Sequence, residues 1–138
     1  MRETWVIDSS VGFAWVHPSQ ATPETDKLLD AVEAGATVVV PALWFVEMAN
    51  SLLTLQRRKK LTRTERQAAL ETLSSMSFTI DDEPARVALN KTSELAEKYE
   101  LTVYDATYLE LALRRDLPLA SRDAALLSAA KRSGVRTF

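Results

Sequence analysis

The sequence contains no cysteine, which excludes disulfides and thiolate metal sites and is compatible with a reducing compartment. Only 3 glycines and 5 prolines are spread over 138 residues, too few for a turn-rich all-β architecture or a low-complexity disordered chain. No stretch approaches the roughly 18 apolar residues of a membrane span, so no membrane partner is expected. The opening Met1-Arg2-Glu3-Thr4 leads into a short apolar run that Asp8 ends; this does not resemble a signal peptide, and a cytoplasmic protein is predicted. An excess of positive charge is also missing. The formal net charge is -2, so a nucleic-acid partner would have to be held by a local patch.

What is present suits a single soluble domain over residues 1–138: 46% hydrophobic and 26% charged residues, on a chain long enough to bury a core. Trp5-Val6-Ile7-Asp8 reads as a short buried strand that Ser9-Ser10 ends, and Thr37-Val38-Val39-Val40 as a second, β-branched throughout. Phe78-Thr79-Ile80, Leu117 to Ala120 and Val135 to Phe138 are three further strands. Helices are predicted over Thr25–Ala34, Pro41–Lys59, Thr62–Ser75, Asp82–Tyr99, Tyr104–Arg115 and Asp123–Arg132. Strands alternating with helices imply an α/β fold: three layers, with a central parallel sheet of four to five strands.

In such a sheet the ligand crevice lies beyond the carboxyl ends of the strands. Asp8 ends the first strand, Glu47 lies early in the helix after the second, and Asp123 follows the fourth. Asp105 joins them if its helix starts at that edge. Four carboxylates in one crevice repel one another unless a cation neutralises them. With oxygen ligands only, Mg²⁺ or Mn²⁺ is favoured over Zn²⁺, and phosphodiester hydrolysis is the natural chemistry. Each acid also has a plainer reading: Asp8 as a strand end, Glu47 on a solvated helix face, Asp123 as an N-cap, and Asp105 as half of a capping box with Thr102.

Ser9, Ser10 and Ser121 lie beside these acids as orienting hydroxyls or as ordinary turn and cap residues. The basic run Arg57-Arg58-Lys59-Lys60, with Arg63 and Arg66, either complements a helix end or contacts phosphates. His17 has no partner at ligand spacing. Trp15, Trp44 and Phe45 suit a core or an interface better than base stacking.

Val6-Ile7-Asp8-Ser9-Ser10, Glu47-Met48-Ala49-Asn50, Tyr104-Asp105-Ala106-Thr107-Tyr108 and Leu119-Ala120-Ser121-Arg122-Asp123 occur in this order. Together they resemble the PIN-domain ribonucleases, specifically the VapC toxins of toxin–antitoxin modules, over about Trp5 to Val135. The resemblance implies Asp8 and Asp105 as principal Mg²⁺ ligands, Asp123 completing the site, and Glu47 binding metal or positioning the attacking water. Asn50 and Ser121 match supporting positions. It also implies an RNA substrate, a homodimer, and a VapB-like antitoxin that lays a C-terminal segment over the acidic groove. Ser121 stands where threonine is common, and Arg122 precedes Asp123. Two other readings are a non-catalytic RNA-binding translation inhibitor and a PIN nuclease of RNA processing outside a toxin–antitoxin module.

Overall fold

Three short apolar segments pair side by side because each buries both faces. In the computed structural model, described over residues 3–82 and 85–138, these are β1 (Thr4–Ile7), β2 (Thr37–Val40) and β4 (Leu119–Ala120). Val6 lies opposite Val39 on one side and Leu119 on the other. The two-residue strand β3 (Thr79–Ile80) adds an edge, giving a parallel sheet in the order β3-β2-β1-β4.

The helices are α1 (Ser9–Val16), α2 (Pro23–Glu33), α3 (Ala42–Arg57), α4 (Arg63–Ser75), α5 (Lys91–Tyr99), α6 (Val103–Arg115) and α7 (Ala124–Arg132). Helices α1 to α4 pack among themselves, as do α5 to α7. Right-handed crossovers place these two groups on opposite faces of the sheet, completing the three layers. After β1 the chain moves toward β2, whereas after β4 it moves outward to pair Thr137 with Leu119. Connections that leave neighbouring strands in opposite directions open a crevice at their carboxyl ends. That crevice lies between β1 and β4.

Three sequence expectations are corrected. Ser9-Ser10 does not simply end a strand: it begins α1, an unforeseen helix capped by Asp8, whose carboxylate accepts from the Val11 amide. The segment SSVGFAWV is apolar nearly all round, so it offers no amphipathic stripe to read. The helix expected from Asp82 to Tyr99 is a 3₁₀ turn (Ala85–Leu89) followed by α5, with Asn90 capping the junction; Glu83 and Pro84 of that expectation lie outside the described residues. Val135 to Phe138 contributes a single bridge rather than a strand.

Candidate active site at the carboxyl edge of the sheet

Asp8 leaves β1 at the crevice and is 4% exposed. Its Oδ1 accepts from the Ser10 hydroxyl at 2.6 Å and the Val11 amide at 3.3 Å, and its Oδ2 from the Ser121 hydroxyl at 2.6 Å. Behind it, the Trp44 indole N–H donates to the Asp8 carbonyl at 3.1 Å. Burial pushes the Asp8 carboxyl up to about 6 against these hydrogen bonds, and the charge of Asp105 adds to the rise.

Because α6 runs back to feed β4, its first turn lies at the same edge. Thr102 caps it, accepting from the Asp105 amide at 3.1 Å, without the return bond that completes the capping boxes of α2 and α4. Asp105 is half-buried, and desolvation followed by the repulsion of Asp123 raises its pKa. Glu47, on the first half of α3, is likewise half-buried and raised, first by desolvation and then by Asp105. The Tyr108 hydroxyl donates to Glu47 Oε1, and Ser9 also hydrogen-bonds this carboxylate. Asp123 is the N-cap of α7, its Oδ1 accepting from the Leu126 amide at 2.9 Å.

The plain capping roles of Asp8 and Asp123 are therefore real, yet each occupies only part of a carboxylate that has about four acceptor sites. Capping does not explain why Asp105 is coupled electrostatically to all three other acids. Among the described residues none of the four forms an ion pair with lysine, arginine or histidine. Nor, among those residues, do three histidine, cysteine or acidic side chains converge into a group that could hold a metal ion by itself. Such a donor set fits a hard divalent cation that keeps several waters and takes one or two carboxylates directly. It does not fit a closed protein cage.

Ser10 and Ser121 both donate to Asp8, and Ser121 also accepts from the Asp123 amide at 2.9 Å. Asn50 is exposed and forms no hydrogen bond to any of the four carboxylates. Arg57, Arg58, Lys59 and Lys60 are exposed at the corner between α3 and α4. Trp44 is fully buried, Trp15 is partly buried with its N–H on the Thr25 carbonyl, and Phe45 is 37% exposed. Sequence reasoning missed Tyr108 and Trp44 as supports, although Tyr108 lies three residues from Asp105 and so on the same helical face.

The fold has close structural counterparts. PAE2754 from Pyrobaculum aerophilum is 23% identical, with a TM-score of 0.73 over 99% of this chain and 92% of that one. FitAcB from Neisseria gonorrhoeae is 19% identical, with a TM-score of 0.64 over 97% and 96%. VapBC2 from Rickettsia felis, bound to a DNA fragment from their promoter, is 13% identical, with a TM-score of 0.67 over 98% and 97%. No curated protein sequence matches the chain. The PIN-domain family profile matches residues 5–132, nearly the whole length, and the chain belongs to the PIN-domain family.

Proposed function

We propose that this chain is a Mg²⁺-dependent endoribonuclease of the VapC kind, with Mn²⁺ as a possible substitute. The observation that supports the reading most is the crevice between β1 and β4. There Asp105 raises the pKa of Asp8 and Glu47, is itself raised by Asp123, and among the described residues forms no ion pair that would offset the charge. Asp8 and Asp105 are the principal ligands, with Asp123 and Glu47 completing the set. When bound, the ion supplies charge neutralisation at the phosphate and lowers the pKa of an attacking water.

The chain's own groups do the rest. Tyr108 and Ser9 hold the Glu47 carboxylate, whose raised pKa suits it to accept a proton from the attacking water. The water oxygen forms the new bond to phosphorus as the phosphorus–oxygen bond of the RNA chain breaks, and the departing ribose oxygen takes up a proton from solvent. Ser10 and Ser121 keep Asp8 in one rotamer. We further propose that the protein works as a cytoplasmic homodimer, held in check by a VapB-like antitoxin. Similarity in fold to FitAcB and VapBC2 is in keeping with such a partner.

A second reading has one observation in its favour. Among the described residues the acids do not form a group that could hold a metal ion without water or phosphate, an arrangement equally open to a protein that blocks translation by gripping RNA without cutting it. The purified chain, incubated with total cellular RNA in Mg²⁺, Mn²⁺ or EDTA, separates the two. Discrete cuts that require metal and vanish in Asp8→Ala are expected. Stable RNA binding with no cleavage would replace the enzyme reading by the binding one.

A further inference from the structure

A groove of about 450 Å³ runs between α1 and α3 and borders the acidic crevice. Its wall includes Ser9 and Ser10, the hydroxyls bonded to Glu47 and Asp8, so the two spaces are adjacent. Arg122, exposed and next in sequence to Asp123, also lines it. An arginine at the margin of an acidic crevice is placed to pair with a carboxylate. Among the described residues Arg122 forms no ion pair; its Nη1 donates instead to the neutral Gln20 amide oxygen at 2.9 Å. Its backbone amide donates to Ser10 Oγ at 2.8 Å, tying its position to the hydroxyl that holds Asp8.

Helix α3 continues the same groove away from the crevice. Glu47, Ser51, Thr54 and Arg58 fall at intervals of four, three and four residues, one face of a helix. Ser51 and Thr54 line the groove, and the Arg58 amide bonds to the Thr54 carbonyl at 3.0 Å, so the exposed basic corner begins one turn beyond it. The groove therefore has acids bordering one end, a tethered guanidinium that among the described residues has no carboxylate partner, and hydroxyls along it, and the exposed basic run follows one helical turn after Thr54. Phe13, partly buried against the core, adds an aromatic side chain to the lining.

We infer that this groove binds the single RNA strand flanking the scissile phosphate, with Arg122 as the residue that positions a neighbouring phosphate. This deepens the ribonuclease reading and rests on it. Gln20 keeps the guanidinium from folding onto Asp123 or Asp8, which would cancel both the phosphate contact and the metal site. The hydroxyls and Phe13 tolerate any base, so the groove supplies register and leaves sequence choice to other contacts.

The test measures binding of a short, mixed-sequence, fluorescently labelled single-stranded RNA. It uses the full chain carrying Asp105→Asn, in Mg²⁺, across a range of KCl concentrations. Adding Arg122→Gln should weaken binding about tenfold, as for one charge-assisted hydrogen bond, and reduce the salt slope by about 0.7. Thr54→Glu, which puts a negative charge in the groove, should weaken binding similarly. Lys131→Gln, the same charge change at the distant end of α7, should leave the slope unaltered. Thermal melts of each variant check that the fold is intact. Binding unaffected by both groove substitutions, from a chain whose wild type cuts RNA, would overturn the groove assignment alone. Absence of both binding and cleavage would remove the ribonuclease reading and this inference together.

Discussion

Asp8 makes its contribution to folding depend on pH in an unusual direction. Unfolded, an aspartate titrates near 4; in the fold, burial raises Asp8 to about 6. The folded chain holds the proton more tightly, so this group's contribution is most favourable below about pH 4. It declines as pH rises through about 6 and is flat above, a span on the order of 3 kcal/mol. Asp8→Asn should remove most of that slope and stabilise the metal-free chain at pH 7.5, as read by urea melts across pH; identical slopes in the two proteins would contradict the burial argument. Tyr108→Phe should cost about 1 kcal/mol by leaving the half-buried Glu47 with Ser9 alone as side-chain donor, and should lower kcat more than it raises KM. The four acids were legible as candidates from their places at the end of a strand or in the early part of a helix that follows or feeds one. Tyr108 and Trp44 were not, because they act through contacts 61 and 36 residues apart in sequence.

At the scale of elements, α1 is held by one close approach. A Cβ at Gly12 would collide with the Trp44 ring. That ring cannot give way, being fully buried with its N–H on the Asp8 carbonyl. Alanine gains about 1 kcal/mol in helix propensity over glycine, whereas overpacking a core costs about 1–3 kcal/mol. Gly12→Ala should therefore be destabilising despite sitting mid-helix, and should loosen Asp8; a rise in Tm would show that α1 can shift. The same feature explains why α1 was hard to read, since glycine and an all-round apolar surface obscure a short helix. Helix ends were blurred for another reason. Lys59, Glu100 and Asp116 take the left-handed conformation at φ 60, 56 and 53°, so α3, α5 and α6 stop without the glycine that usually marks such an end. Capping boxes at Thr22 and Thr62 open α2 and α4. Arg114 and Arg115, joined to Asp81, fasten the end of α6 to the residue after β3, a contact that no local pattern announces.

For the molecule as a whole, alternation of strands and helices was enough to give the layers and the parallel sheet. It did not say on which side of β1 the last strand would lie, a choice made by long-range packing. That choice creates the crevice, because β1 and β4 become neighbours whose connections diverge. The net charge of -2 is likewise uninformative until the fold separates the acids at the crevice from the cations at the α3–α4 corner. The central claim is that the acidic crevice is a divalent-cation site built around Asp105. It is tested most directly by thermal or urea melts of the wild type and Asp105→Asn during titration with Mg²⁺. The account predicts that Asp105→Asn is the more stable of the two without metal. It also predicts that the wild type gains about 2.7 kcal/mol at 100 times its dissociation constant, while the variant gains little. A wild type indifferent to Mg²⁺, or a variant that responds equally, would contradict it.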